Sequence, residues 1–500
     1  MSHAKFETFK ARLGEISDIN SAISLLHWDQ EVYMPPKAAA GRGQQLATLS
    51  GLSHRLFTRP EIGALILDLQ NEGGLTGDDA KLLSETAHDY NHAMKLPEAF
   101  VQKLAIAQSQ AYEAWTQARK DSDFSQFQPH LQAMLDLMLE KAEYLGYQGS
   151  PYNALLDEYE RGMTAAYLSA LFTDLAPRQQ AFVERLVNAP GQPDLGWLKQ
   201  PWNPDTQWDF SIEILKEMGY DFGAGRQDKS VHPFSINFDT TDVRVTTRID
   251  PNDLFSGLMG SMHEGGHALY EQGFLERDRR TVLGQAISLG IHESQSLLWE
   301  NIIGRSLPFW RRHTAALQAA YPGQLDGKTP EDIYRAVNHV TPSFIRVEAD
   351  ECTYNLHVIL RFEIELALVE GDLKVAEVPE AWNAKMKQYL GLDVPNDALG
   401  CLQDIHWSHG SMGYFPTYAL GNLYSAQLFE AVEKALPDLW NQVEKGDFAP
   451  LLGWLRKNVH EVGRRKTAPE LIQHVTGQPP CADPFMRYLE KKYLPLYGLA

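Results

Sequence analysis

Cysteine is scarce: the 500-residue chain has 3, namely Cys352, Cys401 and Cys481, and none stands in a CxxC pair. A disulfide framework is thereby excluded, and the expected compartment is reducing. Long apolar runs are absent as well. With no segment of about 18 consecutive apolar residues, no membrane-spanning helix is expected. The opening residues Met1–Glu7 place an acid at Glu7 where a secretory leader needs an unbroken apolar core, so no leader is predicted. Basic runs are missing too, since 45 Lys and Arg face 65 Asp and Glu, a formal net charge of −20. Counterion release by a nucleic acid needs clustered basic residues, so neither nucleic acid nor an anionic membrane is an expected partner. These absences point to a cytoplasmic protein with a solvated acidic surface, and they say little about chemistry.

What is present is helix. Phe6, Phe9, Leu13, Ile16, Ile19, Ile23 and Leu26 recur at helical spacing, and Pro35-Pro36 ends that segment. Similar patterns fill Asp78–Met94, Pro97–Arg119, Pro129–Leu145 and Met163–Val187, with Ala, Leu, Glu, Gln and Lys dominant. There is no internal repeat and no low-complexity linker; the Pro/Gly-rich stretch Asn188–Pro204 is the best candidate boundary. The exception is 232–249, where Phe234–Phe238 and Val243–Ile249 alternate with period two around Asp239–Asp242, the pattern of a β-hairpin. A sheet placed directly before a catalytic helix can offer an edge strand to an extended peptide. Leu26–Gln30 and the acidic run Asp157–Glu160 are polar inserts in apolar windows, expected to make interhelical hydrogen bonds rather than to line a groove.

Asp250-Pro-Asn-Asp253 opens a further helix, which carries His263-Glu264-Gly265-Gly266-His267. Histidines four apart share one helix face, so both imidazoles reach one ion, and zinc prefers such nitrogen ligands. The intervening glutamate is placed to take a proton from an attacking water. Two glycines inside a helix cost about 1 kcal/mol each relative to alanine, a cost that fits close approach of something to its backbone. A catalytic site needs a third protein donor and an open position. The next helix-like stretch, Thr281–Leu298, offers Glu293, with His292 as a competing ligand.

The chain resembles the thermostable carboxypeptidase (Taq) family of zinc metallopeptidases, family M32. Six ordered segments carry the likeness: His232-Pro-Phe234, Asp242-Val-Arg-Val-Thr246, His263–His267, His292-Glu-Ser-Gln295, Ile345-Arg-Val-Glu-Ala-Asp350 and Gly400–Trp407. The resemblance implies His263, His267 and Glu293 as ligands of one zinc ion, with cobalt or manganese as substitutes. It implies Glu264 as the general base. It further implies a mainly α, two-lobed body with a deep central groove, a small β-hairpin beside the HExxH helix, and a homodimer. The chain is then one catalytic unit, with a helical part over about 1–195 and a zinc-site part over about 196–500. Related helical metallopeptidases bind the reacting carbonyl with a His/Tyr pair. The spacing of His409, Tyr414 and Tyr418 is similar to theirs, so Tyr418 is the expected oxyanion donor, assisted by His406 or His409.

An exopeptidase must recognise a free carboxylate, which arginine does through its bidentate fork. Thr341-Pro342 reads as a helix start, and the helix beyond would carry Arg346, Asp350, Tyr354 and His357 on one stripe as a cleft wall. Arg346 is the expected carboxylate contact, with Asp350 and Tyr414 also placed in the substrate site. Arg244, sharing a strand face with Asp242 and Thr246, either binds substrate or braces the hairpin, and His232 either lines the groove or caps the strand. The expected function is release of single C-terminal amino acids from peptides. The alternatives are a zinc oligopeptidase or dipeptidase-type endopeptidase of related fold, and a non-catalytic zinc-binding protein.

Overall fold

Apolar side chains at three- and four-residue spacing can be buried only on helix faces packed together, and helices account for most of the chain. A computed structural model describes residues 2–499. Its first helix, α1 (Ser2–Val32), buries Phe6, Phe9, Leu13 and Ile16, whereas Ile19, Ile23 and Leu26 are half-buried. The four other predicted windows form helices Gly77–Lys95, Glu98–Asp121, Phe124–Leu145 and Ala165–Val187. Pro129 does not open the third of these, because the Asp123 carboxylate already caps it by accepting the Ser125 N–H at 3.0 Å.

The hairpin is present as β2 (Ser235–Asp239) and β3 (Asp242–Thr247), antiparallel, with Val243 and Val245 fully buried. A third strand, β1 (Gln227–Lys229), adds parallel to β3, so the order is β1-β3-β2 and β3 is central. The Ser21 hydroxyl of α1 donates to the Phe238 carbonyl at 2.6 Å and fastens that helix to β2.

After β3 the Asp253 carboxylate accepts the N–H groups of Phe255 and Ser256, at 2.9 and 3.1 Å, and starts helix α2 (Ser256–Glu271). The expected long helix from Thr281 is shorter than its apolar pattern suggested. Residues 276–278 and 282–284 are single 3-10 turns, and α3 (Leu289–Leu297) begins where the Ser288 hydroxyl caps the Ile291 N–H. A π-helical segment, Leu298–Gly304, continues α3.

One apolar core joins Leu131 and Phe182 to Leu356 and Tyr493, side chains from both sides of the 188–204 stretch. A second gathers Val243, Leu258, Met262, Trp299 and Trp310. Helices α2 and α3 lie at the seam between these cores, Tyr270 and Ile291 facing the first and Leu269 and Leu298 the second. Their approach depends on Gly266, where an added Cβ would lie 2.6 Å from the Gln295 carbonyl oxygen and 2.7 Å from Ser296 Cα. The helix Pro416–Ala435 closes on α3 from the other side. Gly266→Ala is expected to lower the urea midpoint through overpacking of about 1–3 kcal/mol. An unchanged midpoint would mean that the two helices are free to separate.

Candidate active site

One helical turn separates His263 from His267 on α2, and their ring centroids are 4.9 Å apart. Helix α3 brings Glu293 Oε2 to 3.7 Å from His263 Nε2 and 3.4 Å from His267 Nε2. The three side chains offer ligand atoms that all lie within 4.8 Å of one another. Ligands held at about 2.1 Å in a tetrahedral arrangement are about 3.4 Å apart, so this donor set fits one divalent ion. Burial works against a charged ring at His263, yet Glu293, Glu300 and Glu264 outweigh it and raise its pKa to about 10. At His267 burial and the neighbouring His292 win instead and hold the ring down at about 3. Burial also raises the Glu264 carboxyl to about 7, against the pull of His263.

Each histidine is oriented from behind. His263 Nδ1 meets Glu300 Oε2 at 2.9 Å, and Arg305 holds the other oxygen of Glu300 at 2.7 Å. His267 Nδ1 meets Nδ1 of His292, whose Nε2 lies 3.0 Å from Glu271. For Nε2 of His267 to serve as a ligand, Nδ1 keeps its proton and donates it to His292, which donates in turn to Glu271. His292, the competing candidate, thus stands behind His267 and holds its ring.

The opposite wall is aromatic and cationic. It is built from the loop 341–353, helix α4 (Tyr354–Glu370), the turn 404–414 and helix α5 (Pro416–Ala435). At Gly421 of α5 an added Cβ would lie 2.5 Å from Glu293 Cγ, which places Tyr418, one turn earlier on the same face, beside the ligand cluster. Tyr418 Oη is 3.3 Å from His406 Nε2, and the Arg346 guanidinium stacks 4.6 Å from its ring centroid. Burial holds His406 down at about 3, so its ring is neutral. Burial raises the phenols of Tyr354, Tyr414 and Tyr418, and the charge of Glu293 reaches all three.

Arg346 donates to Tyr354 Oη at 2.8 Å and to Asp404 at 2.9 Å, and Arg361 donates to the other oxygen of Asp404 at 2.7 Å. Two buried guanidiniums share one carboxylate, and this trio carries one net positive charge. Burial would raise the Asp404 carboxyl, but the two arginines outweigh it and hold it well below the usual range.

One expected element is absent, and the remaining predicted site residues are placed as follows. No helix starts at Thr341-Pro342; residues 341–353 are a loop with a 3-10 turn at Arg346–Glu348. The cause is Asp350, whose carboxylate accepts the N–H groups of Thr341, Cys352 and Thr353 and the Thr353 hydroxyl. Asp350 is committed to those bonds and does not pair with Arg346. His409 is exposed and stacks on Tyr112 at 5.7 Å, so only His406 joins Tyr418. Arg244 chelates Asp242 with two bonds of 2.8 Å and lies over Trp28, bracing the hairpin against α1. His232 is exposed in the loop between β1 and β2. Tyr414 packs between Tyr418 and His406, with centroids at 5.3 and 5.2 Å.

Sequence reasoning missed Glu271, Glu300, Arg361 and Asp404. Glu271 stands one turn beyond His267, and Asp404 lies inside the quoted segment Gly400–Trp407, so spacing held a signal for both. Glu300 and Arg361 carried none that separates them from other charged helix residues. Asp404→Asn leaves two buried cations without their counter-charge and is expected to destabilise the fold by about 3–5 kcal/mol in urea unfolding. A neutral result would mean that water or another acid compensates them.

The chain is 41% identical to thermostable carboxypeptidase 1 of Thermus thermophilus, covering 97% of both chains. It is 39% identical to carboxypeptidase 1 of Bacillus subtilis, covering 99% of both. Among solved structures it superposes on the M32 carboxypeptidase from Deinococcus radiodurans with a TM-score of 0.97, at 39% identity over 99% of this chain and 100% of that one. Metallocarboxypeptidase 1 of Trypanosoma cruzi gives a TM-score of 0.92 at 33% identity, over 98% of this chain and 99% of that one. The family model for carboxypeptidase Taq (M32) metallopeptidases matches residues 8–493. With that match and relatives of this identity over nearly its whole length, the chain belongs to the M32 carboxypeptidase Taq family and is a metallocarboxypeptidase, a hydrolase of peptide bonds.

Proposed function

We propose that the protein releases single amino acids from the C-terminal end of peptides, with Glu264 as general base and Tyr418 as oxyanion donor. The ion is zinc in this reading, cobalt or manganese being accepted by the same donors, and when bound it acidifies water and polarises a carbonyl. His263, His267 and Glu293 hold it. The Glu264 carboxylate takes a proton from the attacking water and passes it to the leaving amine.

His406 Nε2 lies 3.3 Å from Tyr418 Oη, and in the neutral tautomer that donates Nε2–H the phenol hydrogen is released toward the carbonyl oxygen. The cation of Arg346 over the same ring makes the phenol a stronger donor. The observation that carries the exopeptidase reading is the buried Arg346–Asp404–Arg361 cluster. Its one unmatched positive charge is 4.6 Å from the Tyr418 ring and suits a substrate's terminal carboxylate. Arg346 is the contact in this reading. Cys352, Cys401 and Cys481 are free thiols, which accords with a reducing cytoplasm, and a homodimer is carried over from the resemblance.

Glu264→Gln is expected to retain stoichiometric metal, measured by elemental analysis, and to lose nearly all hydrolysis. Retained turnover removes Glu264 from the mechanism. Tyr418→Phe is expected to lower kcat by about 10²–10³-fold, the effect of losing one oxyanion donor. Peptides with an amidated C-terminus should be cleaved barely at all. Cleavage of amidated and free peptides at equal rates would favour an oligopeptidase.

A further inference from the structure

The one carboxylate of the 157–160 acidic run that is fully buried is Glu160, and none of the steps above uses it. It sits at the N-terminus of α3 and joins three segments. Its Oε2 accepts the Gly290 N–H at 2.9 Å, and its Oε1 accepts the hydroxyls of Ser288 and Tyr424, each at 3.0 Å. Ser288 and Gly290 belong to the start of α3, Tyr424 to α5, and Glu160 itself to the turn after the short helix Tyr152–Leu156. The first turn of a helix presents unbonded N–H groups and a partial positive charge, so an anion there is doubly favoured. The fit is close, since a Cβ added at Gly290 would lie 2.7 Å from Glu160 Oε2.

Glu293 stands three residues after Gly290 on the same short helix. Its own side chain lies against Gly421, one turn from Tyr424 on α5. The two hydroxyl bonds and the backbone bond therefore fix how far α3 slides along its axis relative to α5. A slide of one residue is about 1.5 Å, enough to take Glu293 out of reach of the two histidines.

We propose that Glu160 is a positioning residue that sets the axial placement of α3, and through it the affinity of the metal site. This rests on His263, His267 and Glu293 being the ligands. The probe is zinc alone, titrated against a chromophoric chelator on the full-length protein, with unfolding of the metal-free protein measured in parallel. Glu160→Met keeps the volume and removes the acceptors. It is expected to raise the zinc Kd at least tenfold, within the range typical of groups that orient metal ligands. Glu160→Gln is expected to stay within about threefold of the parent protein, its amide oxygen serving Gly290 while the two hydroxyls turn to accept from the amide. If Glu160→Met does not fold, Gly290→Ala pushes a methyl against the carboxylate and is expected to raise the Kd to a similar extent. An unchanged Kd in Glu160→Met or Gly290→Ala, with only the stability of the metal-free protein reduced, overturns the proposal, as does equal loss in the Gln and Met variants. His263→Ala is the control: zinc bound as tightly as by the parent would refute the ligand assignment and not this inference.

Discussion

The close crossing of α3 over α2 at Gly266 is the contact on which the rest depends. Two helices that bring ligands to one ion must approach until backbone meets backbone, and only a residue without a Cβ permits that here. Gly421 repeats the device from the opposite side, letting α5 press against the stem of Glu293. The helix that carries Glu293 is thus gripped between two glycine-bearing helices. Its position follows from packing before any ion is considered, which is what preorganisation of a metal site requires.

That packing puts acidic side chains largely out of water, and each is answered by a partner. Glu300 is held ionised by Arg305 and Asp404 by two arginines, while Glu365, whose carboxyl burial raises to about 7, accepts from Tyr152, Trp407 and the Gly413 backbone. Removing one member leaves the other uncompensated, so these groups specify geometry more than they add stability. They are distributed by role. Glu300 and Glu271 orient the histidines, whereas Glu365 fixes the turn that presents His406 and Tyr414. The chain is acidic as a whole, but the wall opposite His263, His267 and Glu293 is locally cationic.

Much of this was legible where it depended on periodicity. Helical spacing located the long helices and set His263 and His267 on one face, while strict alternation located β2 and β3 with Val243 and Val245 inward. The glycines inside the His263–His267 motif implied a close neighbour, and Gln295 is that neighbour. What failed was decided by contacts distant in sequence. Gln227–Lys229 has no alternating apolar pattern and becomes β1 only because β3 is there to pair with it. Thr341-Pro342 has the chemistry of a helix start, yet Asp350 satisfies those backbone groups as a loop and postpones the helix to Tyr354. The exposed His409 and buried His406 stand in one short turn, and no local signal distinguishes the two.

The π-helical segment Leu298–Gly304 constrains how this chain can change length. It contains an extra residue relative to regular helix, and Glu300 reaches His263 from within it. Deleting that residue would leave a continuous helix with all its hydrogen bonds, a change that looks harmless by helix propensity. Yet everything beyond would turn by about 100° about the axis relative to α3, off its present partners. Insertions and deletions are therefore barred from this stretch, whatever its residues. Length variation belongs in the exposed connections far from the site.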